Sequence, residues 1–174
     1  MGTLKTEPAL DRPDLLAPAT AEALRAWPHD VFVAPIDPDL ADTAAFCAAY
    51  GVALDVSANC VVVSGKRVGV TRYAACVVLA TTRADVNTVV RRHLDVRKAS
   101  FLSTVEATAR TAMESGGITP IGLPDGWPVL IDARVAATAR VVVGSGVRHS
   151  KLVLPGPALA DLPHAAVIED LARP

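Results

Sequence analysis

The sequence predicts a mixed α/β fold in which a curved, barrel-like mixed sheet of about six or seven strands carries helices packed on its outside. Strand-like segments outnumber helical ones, yet helices are interleaved among them, so neither regular strand–helix alternation nor a run of hairpins fits. The 174 residues are 51% hydrophobic and 20% charged, as in a globular chain with one substantial core. We expect a single domain over 1–174, with a partly ordered, proline-containing arm over about 1–18.

The first predicted elements are a helix over 19–27 and a strand over 30–36 that is rich in β-branched and aromatic residues. A second helix follows within 41–52, where alanines favour helix. The Asp-Thr pair at 42–43 can cap its start, and Gly51 is placed to end it.

Two Val-rich runs over 59–69 and 73–82 predict a hairpin, with its turn near Ser64 and Gly65. Their continuous apolar character is typical of strands buried on both faces. The next segment, 85–96, places its apolar residues on one helical stripe and predicts a helix.

A short strand over 98–103 leads into a helix over 103–113. Ser103 and Glu106 have the spacing of a capping box at the start of that helix. The remaining predicted elements are strands over 127–133, 140–146 and 151–156, a short helix over 157–162, and a strand or short helix over 165–172.

Composition excludes several classes of protein. The net charge of −1 argues against a general nucleic-acid coat, although it permits a local contact with one end of an RNA. Cys47, Cys60 and Cys76 form no CxxC pair and leave an odd thiol, which favours a reduced, cytoplasmic setting. The longest apolar run, 74–80, is too short to cross a bilayer, so we expect no membrane partner.

The segment ESGGITPIGLP, at 114–124, is stiffened by glycine and proline but lined with apolar side chains. Adjacent glycines permit unusual backbone conformations and close approach of a ligand to backbone N–H groups. A rigid apolar loop is suited to the wall of a small-molecule pocket. The alternative is a helix C-cap at Gly116 followed by a loop that covers the core.

Two further segments allow a functional and a structural interpretation. The turn GSG at 144–146 can present N–H groups to a carbonyl oxygen or a phosphate, or can simply join two strands. The basic segment RRHLDVRK at 91–98 can meet nucleic-acid phosphates, or can offset the dipole at a helix C-terminus. Asp132 ends a predicted strand, where it is either a site residue or the cap of the next turn.

No metal or cofactor is predicted. The histidines are too widely spaced for a metal-ligand pattern, and no glycine motif for a nucleotide cofactor is present. The four histidines are His29, His93, His149 and His164.

Taken together, the segments GGITPIGLPDGWPVLIDARV and RVVVGSGVRHSKLVLPGPALADLPHAAVIEDLA resemble the C-terminal half of the YbaK family. That family comprises aminoacyl-tRNA deacylases related to the editing domain of bacterial prolyl-tRNA synthetases. The likeness spans roughly 41–172 and rests on a GG-[IV]-x-P-x-G loop, a strand ending in Asp and a glycine-rich turn. The matching residues are Gly116, Gly117, Pro120, Gly122, Asp132, Gly144 and Gly146.

The resemblance implies an editing hydrolase that removes a small amino acid, such as alanine or cysteine, from the 3′ acceptor end of tRNA-Pro or a similar tRNA. In the family the GG loop walls the amino-acid pocket. Positioning and backbone N–H donors suffice to hydrolyse an activated ester, without a metal or a nucleophilic serine. An aminoacyl-tRNA synthetase as second partner, and the choice between monomer and homodimer, stay open.

One position departs from the family. Characterised members carry a lysine at the start of the strand that reads SANCVVV here, and alignment of the apolar run puts Asn59 there. An amide can donate a hydrogen bond but supplies no charge. Two hypotheses follow: an editing hydrolase that uses Asn59 and the glycine loops, or a non-catalytic binding module that keeps the pocket.

The site residues follow from the resemblance and from the basic segments. The catalytic candidates are Asn59, Gly117, Gly144 and Gly146. The substrate-binding candidates are Gly116, Ile118, Pro120, Gly122, Asp132, Ser145 and His149. The tRNA-binding candidates are Arg91, Arg92, Arg97, Lys98, Arg148 and Lys151.

Overall fold

A computed structural model describes all of residues 1–174 and has the predicted mixed α/β composition. The strands are β1 (Glu7–Pro8), β2 (Phe32–Pro35), β3 (Ala58–Arg67), β4 (Val70–Leu79), β5 (Arg83–Ala84), β6 (Ala99–Phe101), β7 (Val129–Asp132), β8 (Val141–Gly144), β9 (Ser150–Leu154), β10 (Ala165–Ile168) and β11 (Ala172–Arg173). The α-helices are α1 (Pro18–Ala26), α2 (Thr43–Tyr50), α3 (Arg91–His93), α4 (Thr104–Thr111) and α5 (Ala133–Ala136). A π-helical turn, Val86–Val90, runs directly into α3, and five short 3₁₀ helices fill connections: Ala9–Asp11, Pro13–Leu15, Pro38–Leu40, Leu54–Val56 and Gly156–Asp161.

The strands form three open sheets, so the predicted barrel-like closure is not supported. One sheet has four strands in the order β1-β2-β9-β8, a second has five in the order β10-β7-β4-β3-β6, and β11 pairs with β5. In the five-stranded sheet β10, β7 and β4 run parallel, whereas β3 and β6 are antiparallel to their neighbours. A single parallel bridge between Ser57 and Val142 connects the edge of the four-stranded sheet to the start of β3.

The central hairpin of β3 and β4 is present, but its turn lies four residues beyond the predicted one. Ser64 pairs with Tyr73 inside the ladder, and the turn is made by Val68 and Gly69, whose φ angles are 48° and 79°. Positive φ at both central residues is the geometry of a type I′ turn. Gly65 lies within the strand at a position that requires glycine, because a Cβ there would lie 2.5 Å from the Lys98 carbonyl oxygen.

The core lies on both faces of the five-stranded sheet. Val77 and Leu79 of β4 belong to the largest apolar cluster, which also includes α1 and the inner strands of the four-stranded sheet. Cys76 and Val78, which alternate with them, face a second cluster that contains the Val86–Val90 turn. The prediction of strands buried on both faces is therefore confirmed for β4.

The N-terminal segment packs against the core, in contrast to the partly ordered arm that its composition predicts. Strand β1 pairs antiparallel with β2, and Leu15 and Leu16 are buried in the largest cluster. The backbone N–H of Ala17 donates to the carbonyl of Ser145. These interactions connect sequence-distant segments, which local composition does not reveal.

Most of the helix signals in the sequence are confirmed. The Ser103 hydroxyl accepts from the Glu106 N–H at 3.2 Å and caps α4, and Gly51 ends α2 with φ 64°. The side chain of Asp42 makes no capping bond at the start of α2. The longest helix, α1, has nine residues, and no helix spans a membrane, which takes about 20 apolar residues.

The turn residue Val68 generates a stability prediction. A β-branched residue at positive φ is strained, and the Val68 side chain is 95% exposed. Val68→Asn creates the Asn-Gly pair that type I′ turns favour, and should raise the free energy of unfolding by about 1 kcal/mol in urea titration. Val70→Asn, at a neighbouring exposed position in the strand, is the matched control and should bring no gain. Equal stabilities of the two variants would contradict the assignment of strain to Val68.

Candidate functional site

A cavity of about 340 Å³ opens where the two larger sheets approach each other. Its position follows from the sheet register. Strand β6 pairs with Val63–Gly65 only, so the first half of β3 has β4 on one side and no strand on the other. The walls are residues 58–62 of β3, residues 101, 102, 104 and 107 around α4, residues 115, 116 and 118 of the GG loop, Gly144 and Lys151.

The GG loop and the GSG turn pack directly against each other. A Cβ at Gly117 would overlap the backbone of Val147, and a Cβ at Gly144 would overlap the carbonyl oxygens of Gly117 and Ile118. The Gly146 N–H donates to the Gly117 carbonyl at 2.7 Å. Glycine is therefore required here for close approach of two backbones, which positions the wall of the cavity.

Some backbone N–H groups of the two loops are bonded within the protein, and others have no partner. The Gly117 N–H donates to the Glu114 carbonyl at 3.0 Å, and the Gly146 N–H is occupied by its bond to Gly117. The N–H groups of Gly116 and Ile118 make no hydrogen bond within the protein, and both residues line the cavity. The N–H donors available to a ligand thus include those directly before and directly after the predicted Gly117.

Asn59 lies in the cavity wall with its carboxamide oriented by α2. The Thr43 hydroxyl donates to Asn59 Oδ1 at 2.6 Å. The Nδ2 group makes no hydrogen bond to protein and is not among the fully buried polar atoms, so its two N–H donors are available to a ligand. The structure brings Asn59, the GG loop and Gly144 together around one cavity.

Lys151 also lines this cavity and is only 7% exposed. Its Nζ donates to the carbonyl oxygens of Ala41 and Gly116, each at 2.9 Å. Burial lowers the pKa of Lys151 to about 8, although the nearby Asp42 carboxylate acts in the opposite direction. A lysine in this place contacts the inside of the cavity and not the solvent-exposed surface that a tRNA phosphate contact requires.

Cys60 is the one thiol in the cavity wall. Its apolar surroundings, with a smaller effect from Cys76, raise the pKa of the thiol well above its usual value. Since the thiolate is the nucleophilic form, Cys60 stays a neutral thiol at physiological pH.

Other predicted substrate residues lie outside the cavity. Pro120 and Gly122 line a separate apolar groove of about 560 Å³ on the other side of the GG loop. The Ser145 hydroxyl is buried and lies 2.7 Å from the Ser150 hydroxyl, and His149 Nε2 lies 3.3 Å from the Asp14 carbonyl oxygen. The Ser145 side chain therefore supports the fold of the GSG turn, whereas His149 contacts the N-terminal segment.

Asp132 is fully buried at the end of β7 and caps α5. Its Oδ1 accepts from the backbone N–H and the Nε of Arg134 at 3.0 and 2.7 Å, and its Oδ2 accepts from the Ala172 N–H at 2.9 Å. Burial acts to raise the pKa of Asp132, but the hydrogen bonds from Arg134 and Ala172 outweigh it and hold the pKa below its usual value. The sequence allows Asp132 to be either a site residue or a cap, and the contacts in the structure are those of a cap.

The six basic candidates are divided in space. Arg148 lies beside the GG loop, where its Nη1 donates to the Ser115 carbonyl at 3.0 Å. Arg91 donates from Nε to the Asn87 carbonyl of the preceding π-helical turn. Arg92, Arg97 and Lys98 are exposed. Together with Arg91 they lie outside the GG-loop region, and none of the four lines the cavity.

Sequence reasoning missed two contributors to the site: Thr43 as the partner of Asn59, and Lys151 as an internal cation. Gly116 and Ile118 were among the substrate-binding candidates. Only Lys151 carried a signal. It begins the predicted strand KLVLPG and directly precedes an apolar run, and an unpaired lysine is rarely buried in such a strand.

A family model described as an aminoacyl-tRNA editing domain matches residues 37–162. No curated protein sequence matches the chain. Among solved structures, the hypothetical protein APE2540 superposes with a TM-score of 0.78 at 17% identity, over 89% of this chain and 99% of that one. A candidate trans-editing enzyme for prolyl-tRNA synthetase superposes with a TM-score of 0.73 at 17% identity, over 88% and 97%.

At such identities the structural likeness concerns the fold alone. The family match covers most of the chain and confirms the family resemblance expected from the sequence motifs.

The buried contacts of Asp132 predict a role in stability. Asp132→Asn should lower the free energy of unfolding by about 2 to 3 kcal/mol at neutral pH, because charge-assisted bonds from Arg134 and Ala172 are weakened. A carboxyl whose pKa is lower in the folded state stabilises above its unfolded pKa of about 4 and loses that contribution as pH falls through its folded pKa. The difference between wild type and variant should therefore shrink in acid. Asp125→Asn, at a fully exposed carboxylate, is the control and should change stability by less than about 0.5 kcal/mol.

Proposed function

The chain belongs to the family of aminoacyl-tRNA editing domains, and we propose that it hydrolyses the ester that joins a small, wrongly attached amino acid to the 3′ end of tRNA-Pro or a similar tRNA. The chain would act as one editing domain over 1–174. The observation that carries the proposal is the cavity beside the free half of β3, which combines apolar walls with unused hydrogen-bond donors.

The size of the cavity supports a small substrate. A volume of about 340 Å³ is at the lower end of the range for ligand pockets. Ile118, Val62 and Ala107 are among its apolar wall residues. A pocket of this kind excludes large side chains by size, whereas it discriminates weakly between small ones.

The reaction requires water, a positioned ester and donors for the developing oxyanion. Water adds to the acyl carbon, and the carbonyl oxygen becomes negatively charged in the tetrahedral intermediate. The bond from that carbon to the ribose 3′ oxygen then breaks, the ribose oxygen takes a proton, and free amino acid and deacylated tRNA leave. Donors fixed before the reaction stabilise this charge at low reorganisation cost.

We assign these donor roles to Asn59 Nδ2 and to the N–H groups of Gly116 and Ile118. Gly117, Gly144 and Gly146 contribute to catalysis through the close packing of the two loops, since the N–H groups of Gly117 and Gly146 are already used. Pro120, Gly122, Ser145 and His149 act on the substrate only through the shape of the two loops, and Asp132 acts only through the stability of the fold.

A non-catalytic binding module is the second candidate. The residues that line the cavity include no carboxylate and no imidazole, so no side chain there is an obvious general base. The same unused donors would then hold an aminoacyl end or a small ligand without hydrolysing it. A deacylation assay with a panel of mischarged tRNAs, including alanyl-tRNA-Pro and cysteinyl-tRNA-Pro, separates the two functions.

The location of the protein in the cell and its partners are also proposals. We propose a cytoplasmic protein that acts on the 3′ acceptor end of tRNA, with an aminoacyl-tRNA synthetase as an optional second partner. Both a monomer and a homodimer are compatible with the exposed cavity.

Asn59 provides the test of the donor assignment. Asn59→Ala should cut the deacylation rate by roughly 10²–10³-fold, the usual loss for one oxyanion donor. If Asn59 only supports the start of β3, the same change should lower stability by about 1 kcal/mol and leave the rate nearly unchanged. Single-turnover kinetics and urea titration of the same preparations distinguish the two.

Thr43→Val is the matched control for that experiment. It removes the hydroxyl that orients the carboxamide but keeps both Asn59 donors, so the rate should fall by less than in Asn59→Ala. A larger loss in Thr43→Val would contradict a donor role for Asn59.

The exposed basic residues generate a prediction on tRNA binding. The double variant Arg97→Glu/Lys98→Glu should weaken tRNA binding. It should also make the slope of log affinity against log salt shallower by about one for each tRNA phosphate that the variant no longer neutralises. Lys5→Glu/Arg25→Glu makes the same charge change at exposed positions with no assigned role in binding. Equal salt slopes for the two double variants would remove Arg97 and Lys98 from the interface.

A further inference from the structure

Lys151 occupies an unusual place for a lysine. It lies in β9, an inner strand of the four-stranded sheet, between Ala34 on β2 and Gly144 on β8. The side chains of Lys151 and Val153 lie on the same face of β9. Residues of α2 cover this face and form an apolar cluster with Val153. A buried ammonium is costly unless its charge is compensated.

The protein compensates this charge only in part. Lys151 Nζ donates to two carbonyl oxygens and lies 5.4 Å from the centroid of the Phe46 ring. No carboxylate forms an ion pair with it. Asp42, whose side chain is 77% exposed, lies 3.9 Å from Arg148.

The ionisable groups that act on Lys151 are few. Asp42 and Cys47 of the α2 region favour its charged form, and Arg148 disfavours it. Across the cavity lies Cys60, which is neutral. Among the residues that line the cavity Lys151 is the one cation, and no anion faces it.

An ammonium has three N–H donors. Two are directed to the Ala41 and Gly116 carbonyls, so one remains for a ligand in the cavity that Lys151 lines. We propose that this third donor, with the positive charge behind it, binds the carbonyl oxygen of the substrate ester as it becomes an oxyanion. Lys151 is thus a catalytic residue of the reaction under Proposed function, on which the inference rests, and not a surface contact to tRNA phosphate.

The contacts to Ala41 and Gly116 also allow a purely structural role, in which Lys151 fixes the GG loop. Protonation separates the two roles. A neutral amine keeps two N–H donors, enough for both carbonyls, and loses only the third donor and the charge. Fixing of the loop therefore survives deprotonation, whereas stabilisation of the oxyanion does not.

The first measurement is the pH profile of deacylation by wild type, corrected for spontaneous hydrolysis of the ester. With the pKa of Lys151 lowered to about 8 by burial, the catalysed rate should fall roughly tenfold per pH unit above that value. Because deprotonation removes the cost of the buried charge, the folded protein should at the same time become more stable between about pH 8 and 10.5. Activity and stability should thus move in opposite directions.

The second measurement uses Lys151→Met, which keeps the length and apolar stem but removes the charge. The catalysed rate constant for alanyl-tRNA-Pro should fall by roughly 10²–10³-fold, with little change in KM and without the alkaline fall seen in wild type. Asn59→Lys added to Lys151→Met returns an ammonium to the same cavity from β3, and should restore at least tenfold of the lost rate. Circular dichroism and urea titration identify a variant that fails to fold. If the Lys151 variant does not fold, the wild-type pH profile alone tests the role of Lys151.

The outcomes are distinguishable. An active wild type whose rate does not fall above pH 8, or a folded Lys151→Met variant within threefold of wild type, overturns the role of Lys151 and leaves the proposed deacylase intact. A wild type that deacylates no tRNA in the panel overturns the deacylase and the role of Lys151 with it. An alkaline fall that is absent from Lys151→Met supports both.

Discussion

The site depends on the backbone contact between the GG loop and the GSG turn. Gly117 lies against Val147, and Gly144 lies against the carbonyls of Gly117 and Ile118, at separations that no Cβ permits. The GSG turn joins β8 and β9 of the four-stranded sheet, and the GG loop leads from α4 into β7 of the five-stranded sheet. Their contact therefore fixes the distance between the two sheets on one side of the cavity. It also uses the Gly117 and Gly146 N–H groups internally, which leaves the N–H groups of Gly116 and Ile118 for a ligand.

The cavity itself results from a mismatch in strand length. Strand β3 has ten residues, but β6 pairs with only three of them, so the first half of β3 has an open edge. Open edges normally attract other strands. Here the edge faces the GG loop, β8 and the start of α2, and the remaining space is the cavity. The same region explains why Asn59, Cys60 and Val61 are only partly buried within an apolar run.

The start of α2 links the two polar side chains of the cavity. Thr43 orients Asn59 through Oδ1, and the Ala41 carbonyl accepts from Lys151. The site therefore has neutral donors on β3 and on the GG loop and one positive charge on β9. That distribution is suited to an oxygen that gains negative charge during a reaction, since charge-assisted bonds strengthen as the charge develops.

The sequence by itself determined the elements and the family. Helix signals such as the Ser103 cap and Gly51, the Val-rich hairpin, and the glycine and proline pattern of the GG loop are local, and local rules interpret them correctly. The tertiary structure alone decided the separation into three open sheets and the position of the hairpin turn. It places Gly65 inside the ladder, where the absence of a Cβ leaves room for the Lys98 carbonyl. It also decided that Lys151 lies inside the cavity, because burial and hydrogen-bond partners depend on segments that are far apart in the chain, and no local pattern encodes those distances.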